Sequence, residues 1–210
     1  MSDQASAEPS DASLLRRHAD GDPEAFGVLF KRHSGRLWAV ALRITCDPDD
    51  AADALQDAMI SAFRRAGDFR GESAVTTWLH RIVVNASLDL LRRRSARSVG
   101  WSGDPDDLPV LEPQQGIDSA SGTESRLDVD AALRTLPPPQ RVALVLVDML
   151  GYSVADASRI LGVSEGTVKS RCARGRMKLL PHLSHLRSDY SRERNQPVAD
   201  GVSFEQEGGA

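Results

Sequence analysis

Apolar side chains recur along this chain at intervals of three and four residues, the spacing that places them on one face of an α-helix. Between residues 26 and 44 this face comprises Phe26, Leu29, Phe30, His33, Leu37, Ala41 and Ile44. In the following segment it comprises Ala52, Leu55, Met59 and Phe63. No stretch of four to eight residues alternates convincingly between apolar and polar positions. The pattern therefore predicts an all-α protein.

Helix-breaking residues divide the first part of the chain into four helices. Ser13 is expected to cap a short helix that ends near Ala19. Asp22-Pro23 and Asp47-Pro48 each combine a capping carboxylate with a proline, which suits the first position of a helix. The loop GDFRGESAV then leads into a last helix, predicted from about residue 76 to residue 94.

The apolar run RVALVLVDM, residues 141–149, fits a buried strand by composition alone. Pro139 lies just upstream, and the sequence offers no second strand to pair with this one. Both observations favour a buried helix.

Polar and breaker-rich segments divide the chain into two small helical domains. Residues 1–12 predict a disordered tail, and residues 13–97 carry the first helical pattern. Residues 98–123 are rich in Gly, Pro, Ser and Asp without a sustained period, so they predict a flexible acidic linker. Helical patterning resumes over residues 124–187, and residues 188–210 predict a second disordered tail.

The second domain carries the pattern of a helix-turn-helix at about residues 153–175. Ser153 and Ser164 stand at N-cap positions, and Gly162 stands where helices commonly end in a left-handed conformation. Two short helices joined in this way form a geometry that reads DNA. The alternative is an ordinary two-helix corner with a solvated basic face. The tight turn, the serine cap and the confinement of the basic cluster to the second helix favour DNA.

Helical periodicity assigns opposite faces to that second helix. The inward face is predicted to comprise Val168, Cys172, Gly175 and Leu179. The outward face and its flank present Gly166, Lys169, Ser170, Ala173, Arg174 and Met177. Basic side chains there reach phosphates, and the small Ser170 and Ala173 allow close approach to base edges. Arg171 points sideways on this wheel, so we expect it to hold phosphate.

Composition indicates that charges of opposite sign are segregated along the chain. The formal net charge is -4, yet basic residues cluster at residues 92–97 and 169–178 while acids crowd the linker. Aromatic residues make up only 5%, which is more typical of packed helices than of a β-sandwich. The two distant cysteines exclude a disulfide framework and favour the cytoplasm. No signal peptide is recognisable and no apolar run approaches 18 residues, so we expect no membrane insertion.

Two long blocks of the sequence resemble one protein family. DAADALQDAMISAFRRAGDFRGESAVTTWLHRIVVNASLDLLRRR, residues 50–94, is similar to region 2 of the extracytoplasmic-function (ECF) sigma factors of bacterial RNA polymerase. LPPPQRVALVLVDMLGYSVADASRILGVSEGTVKSRCARGRMKL, residues 136–179, is similar to their region 4. The resemblance spans about residues 13–187 and is nearest to the actinobacterial sigma-M-like group. It implies three partners: core RNA polymerase, promoter DNA and an anti-sigma factor.

The resemblance also assigns roles to individual residues. Binding of core polymerase falls on Asp53, Gln56 and Asp57, which share one helix face. Recognition and melting of the minus-10 element fall on Arg70, Glu72, Ser73, Arg81, Asn85, Arg92 and Arg93, with Arg94 continuing the basic run. Recognition of the minus-35 element falls on Thr167, Lys169, Ser170, Arg171, Ala173 and Arg174. Trp78 is expected to pack in the core, because it recurs at helical spacing with Ile82 and Ala86.

Two other classes of protein compete with this interpretation. An autonomous helix-turn-helix regulator would bind an operator as a dimer without polymerase, but the first domain resembles a polymerase-docking domain. An enzyme would need a catalytic constellation, and none of the five histidines lies near one. His182 and His185 lack a third metal ligand, and we expect them to be polar surface residues. We therefore expect no catalysis, no cofactor or metal, and no small-molecule substrate.

Two features carry further hypotheses. The acidic linker is expected to occupy a basic channel of the polymerase until growing RNA displaces it. Cys172 is expected to be a small buried residue, with redox control of DNA binding as the alternative.

Overall fold

The structure is a computed structural model that describes residues 8–100, 103, 108–110 and 124–194. All regular structure in these residues is helical, which confirms the all-α prediction. The elements are α1 (Asp11–Ala19), α2 (Pro23–Thr45), α3 (Pro48–Arg64), a 3-10 turn (Ala66–Asp68), α4 (Val75–Val99), α5 (Glu124–Arg134), α6 (Pro138–Leu144) with a π-helical continuation (Val145–Met149), α7 (Val154–Leu161) and α8 (Glu165–Arg194). The predictions for residues 1–7, most of the linker and residues 195–210 lie outside the described residues.

Side-chain caps set the starts of α2 and α3. The Asp22 carboxylate accepts a hydrogen bond from the N–H of Glu24 at 3.0 Å. The Asp47 carboxylate accepts from the N–H groups of Asp49 and Asp50, also at 3.0 Å. Each cap is followed by a proline, whose missing N–H costs nothing at this position. Both predicted helix starts are confirmed.

Helix α1 begins at Asp11, earlier than the predicted cap at Ser13. The cap is Ser10, whose hydroxyl accepts from the N–H of Ser13 at 3.2 Å. Asp11 in turn binds His33 of α2 at 2.7 Å, and also Arg32. Burial alone would raise the pKa of Asp11, but the hydrogen bonds from Arg32 and His33 outweigh it and hold the pKa below its ordinary value. These contacts tie α1 to α2.

The buried face of α3 differs from the predicted one. The side chains that face the core are Ala51, Ala54, Ala58 and Ala62. Of the predicted stripe, Ala52 is exposed, Leu55 and Met59 are partly buried, and Phe63 is 51% exposed. The small alanine side chains let α2 and α4 pack against this face together, so close helix packing outweighs residue size. Helical periodicity predicted the helix correctly, but it assigned the buried face to the larger side chains instead of the alanines.

The apolar run at residues 141–149 is a buried helix, as predicted. It forms α6 and the π-helical continuation, and its side chains from Val142 to Leu146 are all at most 2% exposed. The wider turn is closed by a hydrogen bond from the N–H of Leu150 to the carbonyl of Val145 at 3.0 Å. This element forms the centre of the second domain, where it packs against α8.

Two of the expected boundaries lie further along the chain than predicted. Helix α4 continues to Val99 and ends at Gly100, which adopts the left-handed conformation at φ 61°. Helix α8 continues to Arg194, so residues 188–194 are helical rather than part of a tail. Leu108, inside the predicted linker, is 1% exposed and belongs to the core. Among the linker residues that the structure describes, Leu108 is therefore anchored in the core.

The two helical domains, α1–α4 and α5–α8, pack against each other. Helix α7 lies against α4, and α6 with its π-helical continuation lies against α2. One continuous cluster of buried side chains includes residues from both domains. Within the described residues, no helix combines the length and apolar character needed to cross a lipid bilayer.

Candidate nucleic-acid interface

Helices α7 and α8 form the predicted helix-turn-helix. The Ser153 hydroxyl accepts from the N–H of Asp156 at 3.0 Å and starts α7. Gly162, at φ 66°, ends it in the left-handed conformation. The Ser164 hydroxyl accepts from the N–H of Thr167 at 3.1 Å and starts α8. The three predicted turn residues are confirmed.

The inward face of α8 also agrees with the prediction. Val168 and Cys172 are buried, and Leu179 is partly buried. At Gly175 an added Cβ would lie 2.7 Å from Cδ1 of Leu144, so α8 approaches α6 closely there. Burial raises the pKa of the Cys172 thiol. Cys172 is therefore a small buried residue of the inward face. The packing of this face directs the opposite face of α8 towards solvent.

The outward face of α8 presents basic, hydroxyl and small side chains to solvent. Lys169, Ser170, Ala173 and Arg174 are exposed. The Arg174 guanidinium donates to the Ser170 hydroxyl at 3.3 Å, so the two side chains lie together. Lys169 is held only loosely, with Nζ 3.9 Å from the Glu165 carboxylate. These are the charges and small side chains that an approach to phosphates and base edges requires.

Two arginines assigned to DNA are buried, contrary to the prediction. Arg171 is 7% exposed and directly precedes the inward residue Cys172 on α8. Arg94 is 9% exposed and forms a close ion pair with Asp50. Burial raises the pKa of Asp50 and outweighs the opposite effect of Arg94. In this conformation neither guanidinium is available to a phosphate.

The other residues assigned to the minus-10 element lie on the surface of the first domain. Arg70, Glu72 and Ser73 are exposed in the loop before α4, and Arg81 and Asn85 are exposed on α4.

Two arginines further along α4 carry carboxylate partners. Arg92 is partly buried and donates to Asp89 at 2.7 Å. Arg93 is exposed and donates to Asp57 at 3.2 Å.

Trp78 packs against the hydrophobic core, as predicted. Its ring meets Phe69 edge to face at 5.6 Å between centroids. The side chain is only partly buried, and its free edge borders the loop at residues 70–74.

The acidic set assigned to polymerase binding forms one exposed surface on α3. Asp53, Gln56 and Asp57 are all exposed and lie on one side of the helix. The surface faces away from the alanines that α3 buries. Asp57 also holds Arg93, so this surface adjoins the one assigned to the minus-10 element.

His182, which was expected at the surface, is exposed, whereas two other histidines are buried. His33 is 6% exposed and His80 is 3% exposed. Nδ1 of His80 lies 2.6 Å from the hydroxyl of Tyr152, which belongs to the other domain. His33 falls on the apolar face of α2, so the sequence indicated its burial. The contact of His80 was not indicated, because its partner Tyr152 lies 72 residues away. Among the described residues, no group of three or more His, Cys, Asp or Glu is placed to hold a metal ion.

Comparison with known proteins places both domains in one family. The family model described as Sigma-70 region 2 matches residues 29–97, and the model described as Sigma-70, region 4, matches residues 126–179. The chain is 49% identical over 179 residues to the ECF RNA polymerase sigma factor SigM of Mycobacterium tuberculosis, which covers 85% of this chain and 87% of that protein. The chain belongs to the ECF sigma factors. The domain α1–α4, which contains the first match, is hereafter called region 2, and the domain α5–α8, which contains the second, is called region 4.

More distant sigma factors share this architecture. The ECF RNA polymerase sigma-E factor of Escherichia coli is 30% identical, over 80% of this chain and 91% of its own. The sigma factor RpoE, solved in complex with the anti-sigma factor NepR from Bartonella quintana, superposes with a TM-score of 0.60 at 28% identity, covering 77% of this chain and 98% of its own. CnrH, solved with the cytosolic domain of CnrY, gives 0.58 at 27% identity over 84% and 99%. The combination of regions is therefore that of a transcription-initiation factor.

Proposed function

We propose that this sigma factor docks on core RNA polymerase through α3, and directs initiation by reading the minus-10 element with region 2 and the minus-35 element with region 4. The observation that supports this most is the presence, in one chain, of an exposed acidic surface on α3 and an exposed basic surface on α8. The two surfaces have opposite charge, so they suit different partners.

The docking role rests on Asp53, Gln56 and Asp57. Carboxylates on an exposed helix suit a basic partner surface and accelerate encounter. The family supplies the expectation that this partner is the core polymerase.

The minus-10 role rests on the loop at residues 70–74 and on the exposed face of α4. A base that leaves the duplex costs a few kcal/mol, so polar and basic contacts must offset that cost. Arg70, Glu72 and Ser73 supply them from the loop, and Arg81 and Asn85 supply them from α4.

The minus-35 role rests on α8. Lys169 and Arg174 are exposed where they can reach phosphates, while Ser170 and Ala173 leave room for base edges. Thr167 supports the start of the helix, with its hydroxyl 2.9 Å from that of Ser164. The buried Arg171 contributes to DNA binding only by shaping this helix.

An anti-sigma factor is a further proposed partner. The solved relatives named above were captured with anti-sigma proteins. Region 4 carries an apolar groove of about 380 Å³ between α5 and the later part of α8, with Leu133, Leu179 and Leu183 in its lining. Met149 and Leu180 beside it are exposed. An exposed apolar groove of this kind fits an amphipathic partner segment.

The same proposal places the protein in the cytoplasm, with the polymerase, and assigns it no catalytic step of its own. The acidic linker is proposed to occupy a polymerase channel during early synthesis. Deletion of residues 104–118 should change the pattern of abortive transcripts. An unchanged pattern would exclude this linker role.

The decisive experiment is run-off transcription with core polymerase and a genomic promoter library. Wild-type protein should give promoter-specific transcripts, and core enzyme alone should not. The double variant Lys169→Ala, Arg174→Ala should lose roughly tenfold in transcription, about 1.4 kcal/mol.

Lys31→Ala and Arg16→Ala together are the matched control. Both residues are exposed basic side chains of region 2, outside the proposed surfaces, so this variant should transcribe normally. An absence of promoter-specific transcripts with wild-type protein would refute the proposed function. Binding of an operator by the protein without polymerase would support the autonomous-regulator alternative instead.

A further inference from the structure

Arg176 belongs to the basic cluster at residues 169–178 but not to the surface proposed to read the minus-35 element. It follows the inward residue Cys172 by one helical turn, so it lies at the edge of the inward face of α8. Its guanidinium forms a forked ion pair with Asp148. Nε donates to one carboxylate oxygen at 3.0 Å, and Nη2 donates to the other at 2.6 Å. The guanidinium is therefore directed at another element of region 4.

Asp148 lies in the π-helical continuation of α6. The wider turn of a π-helix changes the direction in which its side chains leave the helix, so this segment determines where the carboxylate points. Short π-helical segments recur at functional sites, and this one presents its acid to α8. The ion pair thus connects two elements whose residues are 28 positions apart.

The packing between α6 and α8 leaves the rotation of α8 about its axis weakly determined. The two helices approach closely at Gly175, which has no side chain to interlock with its neighbour. Val168 and Cys172 on the same face are buried but small. A forked ion pair is directional, because both hydrogen bonds are kept at only one relative orientation of the two groups. Arg176, directly after Gly175, supplies the constraint that the packing lacks.

Recognition of base edges by α8 requires such a constraint. Side-chain tips lie about 5–6 Å from a helix axis, so a rotation of about 10° moves them by roughly 1 Å. Hydrogen bonds to base edges span only about 2.7–3.2 Å, so a displacement of this size breaks them. Ser170 and Arg174 lie within two turns of Arg176 on the same helix, and they move with it.

We propose that Arg176 and Asp148 are positioning residues, which hold α8 at the rotation from which its outward face reads the minus-35 element. Arg176 itself makes no contact with DNA. The side chains are 56% exposed for Arg176 and 37% for Asp148, so the pair adds little to stability and its role lies in orientation. This inference rests on the proposed function of region 4.

The test measures how well the complete holoenzyme discriminates the minus-35 element. Two templates carry one promoter recovered from the run-off library, with its minus-35 element either intact or shuffled. Discrimination is the ratio of run-off transcript from the intact template to that from the shuffled one. Thermal unfolding of each variant sets an assay temperature below every transition.

Wild-type protein should discriminate roughly tenfold or more. Arg176→Lys keeps the charge but cannot form the fork, and Asp148→Asn removes the charge that holds it. Each should lower discrimination roughly threefold or more. Exchange of the partners, Asp148→Arg with Arg176→Asp, rebuilds the pair in reverse and should restore discrimination to about the wild-type value.

Arg159→Lys is the matched control in region 4. The ion pair of Arg159 with Asp156 lies within α7 alone, so its loss changes no contact between helices. This variant should discriminate as wild type does.

Two patterns would overturn the proposal. If Arg176 instead bound a DNA phosphate, Arg176→Lys and Asp148→Asn would behave like wild type, and the exchanged variant would fail because it brings an acid to DNA. If the pair only stabilised the fold, the variants would lose transcript from both templates in parallel and the ratio would not change.

Failure of the proposed function gives a third pattern. Wild-type protein would then transcribe both templates equally or neither of them, and the role of α8 in promoter recognition would fall together with this inference. If wild type discriminates and both single variants discriminate equally well, only the positioning role of Arg176 and Asp148 is refuted.

Discussion

His80 shows how one side chain acquires a property that its sequence neighbours do not indicate. Burial, together with the charges of Arg36 and His33, lowers its pKa to about 4. On the side of region 4 it faces the neutral hydroxyl of Tyr152. The imidazole is therefore neutral inside the folded protein at physiological pH, and protonation opposes the folded state.

This neutral histidine predicts a pH dependence of stability. Between about pH 6.5 and pH 4 the unfolded chain binds a proton at His80 that the folded chain does not, so stability should fall as the pH falls through this window. The expected loss between pH 7 and pH 5 is on the order of 1–2 kcal/mol. Urea denaturation at several pH values measures it.

The control for this prediction is His80→Gln, which keeps hydrogen-bonding groups but does not titrate. Its stability should depend less steeply on pH over the same window. Asp11, whose pKa is lowered, contributes a loss of the same sign only at more acidic pH. Equal slopes for the two proteins would show that His80 does not titrate as described.

Among the elements, α6 and α8 pack so closely at Gly175 that a side chain there would collide with Leu144. This contact positions the outward face of α8, and Gly175 permits it because no side chain separates the two helices. Leu144, the residue it meets, is 2% exposed and cannot move into solvent.

Gly175→Ala should therefore destabilise region 4, although alanine favours helices. An added methyl group at 2.7 Å from Leu144 overpacks the core, at a cost of about 1–3 kcal/mol. Gly166→Ala is the matched control in the same helix, because its nearest neighbour would be the Ser164 hydroxyl at 3.7 Å. It should be neutral or stabilise by up to about 1 kcal/mol. Thermal unfolding of the two variants gives the comparison, and a stabilised Gly175→Ala would contradict the packing.

At the scale of the whole molecule, the charge distribution matters more than the net charge. A formal net charge of -4 coexists with a basic outward face on α8 and an acidic surface on α3. A protein that meets DNA as part of a larger complex needs only local basic surfaces. Its acidic surfaces remain available to protein partners.

Reversal of one acidic charge tests this division. Asp53→Lys should weaken binding to core polymerase on the order of tenfold at low salt, because it opposes like charges across the interface. The difference from wild type should shrink as salt is raised. Asp20→Lys, at another exposed acid of region 2, is the control and should bind normally. Fluorescence titration at two salt concentrations distinguishes these outcomes, and equal affinities would remove Asp53 from the docking surface.

The sequence predicted what depends on local chemistry. The caps at Asp22, Asp47, Ser153 and Ser164 were correct because each involves residues within three positions of one another. The inward face of α8 was correct because periodicity determines it.

The contacts that the sequence did not reveal join distant residues. Arg141 meets Ile44 across 97 positions, and nothing in either segment indicates the other. The burial of Arg171 was not predicted, because a helical wheel gives the direction of a side chain but not how far neighbouring residues cover it. The alanine face of α3 was missed because close packing between three helices is a tertiary property.

The ion pair between Asp57 and Arg93 has a thermodynamic consequence. One partner belongs to the surface proposed for polymerase and the other to the surface proposed for promoter DNA, so engagement of either ligand competes with the pair. When one ligand binds, it breaks the ion pair, so the second ligand no longer competes with it. By linkage, each ligand raises the affinity of the sigma factor for the other by the same factor. Because both side chains are more than half exposed, the cooperativity from this pair is small, within about 1 kcal/mol. Even so, a single surface ion pair makes the binding of polymerase and the binding of promoter DNA positively cooperative.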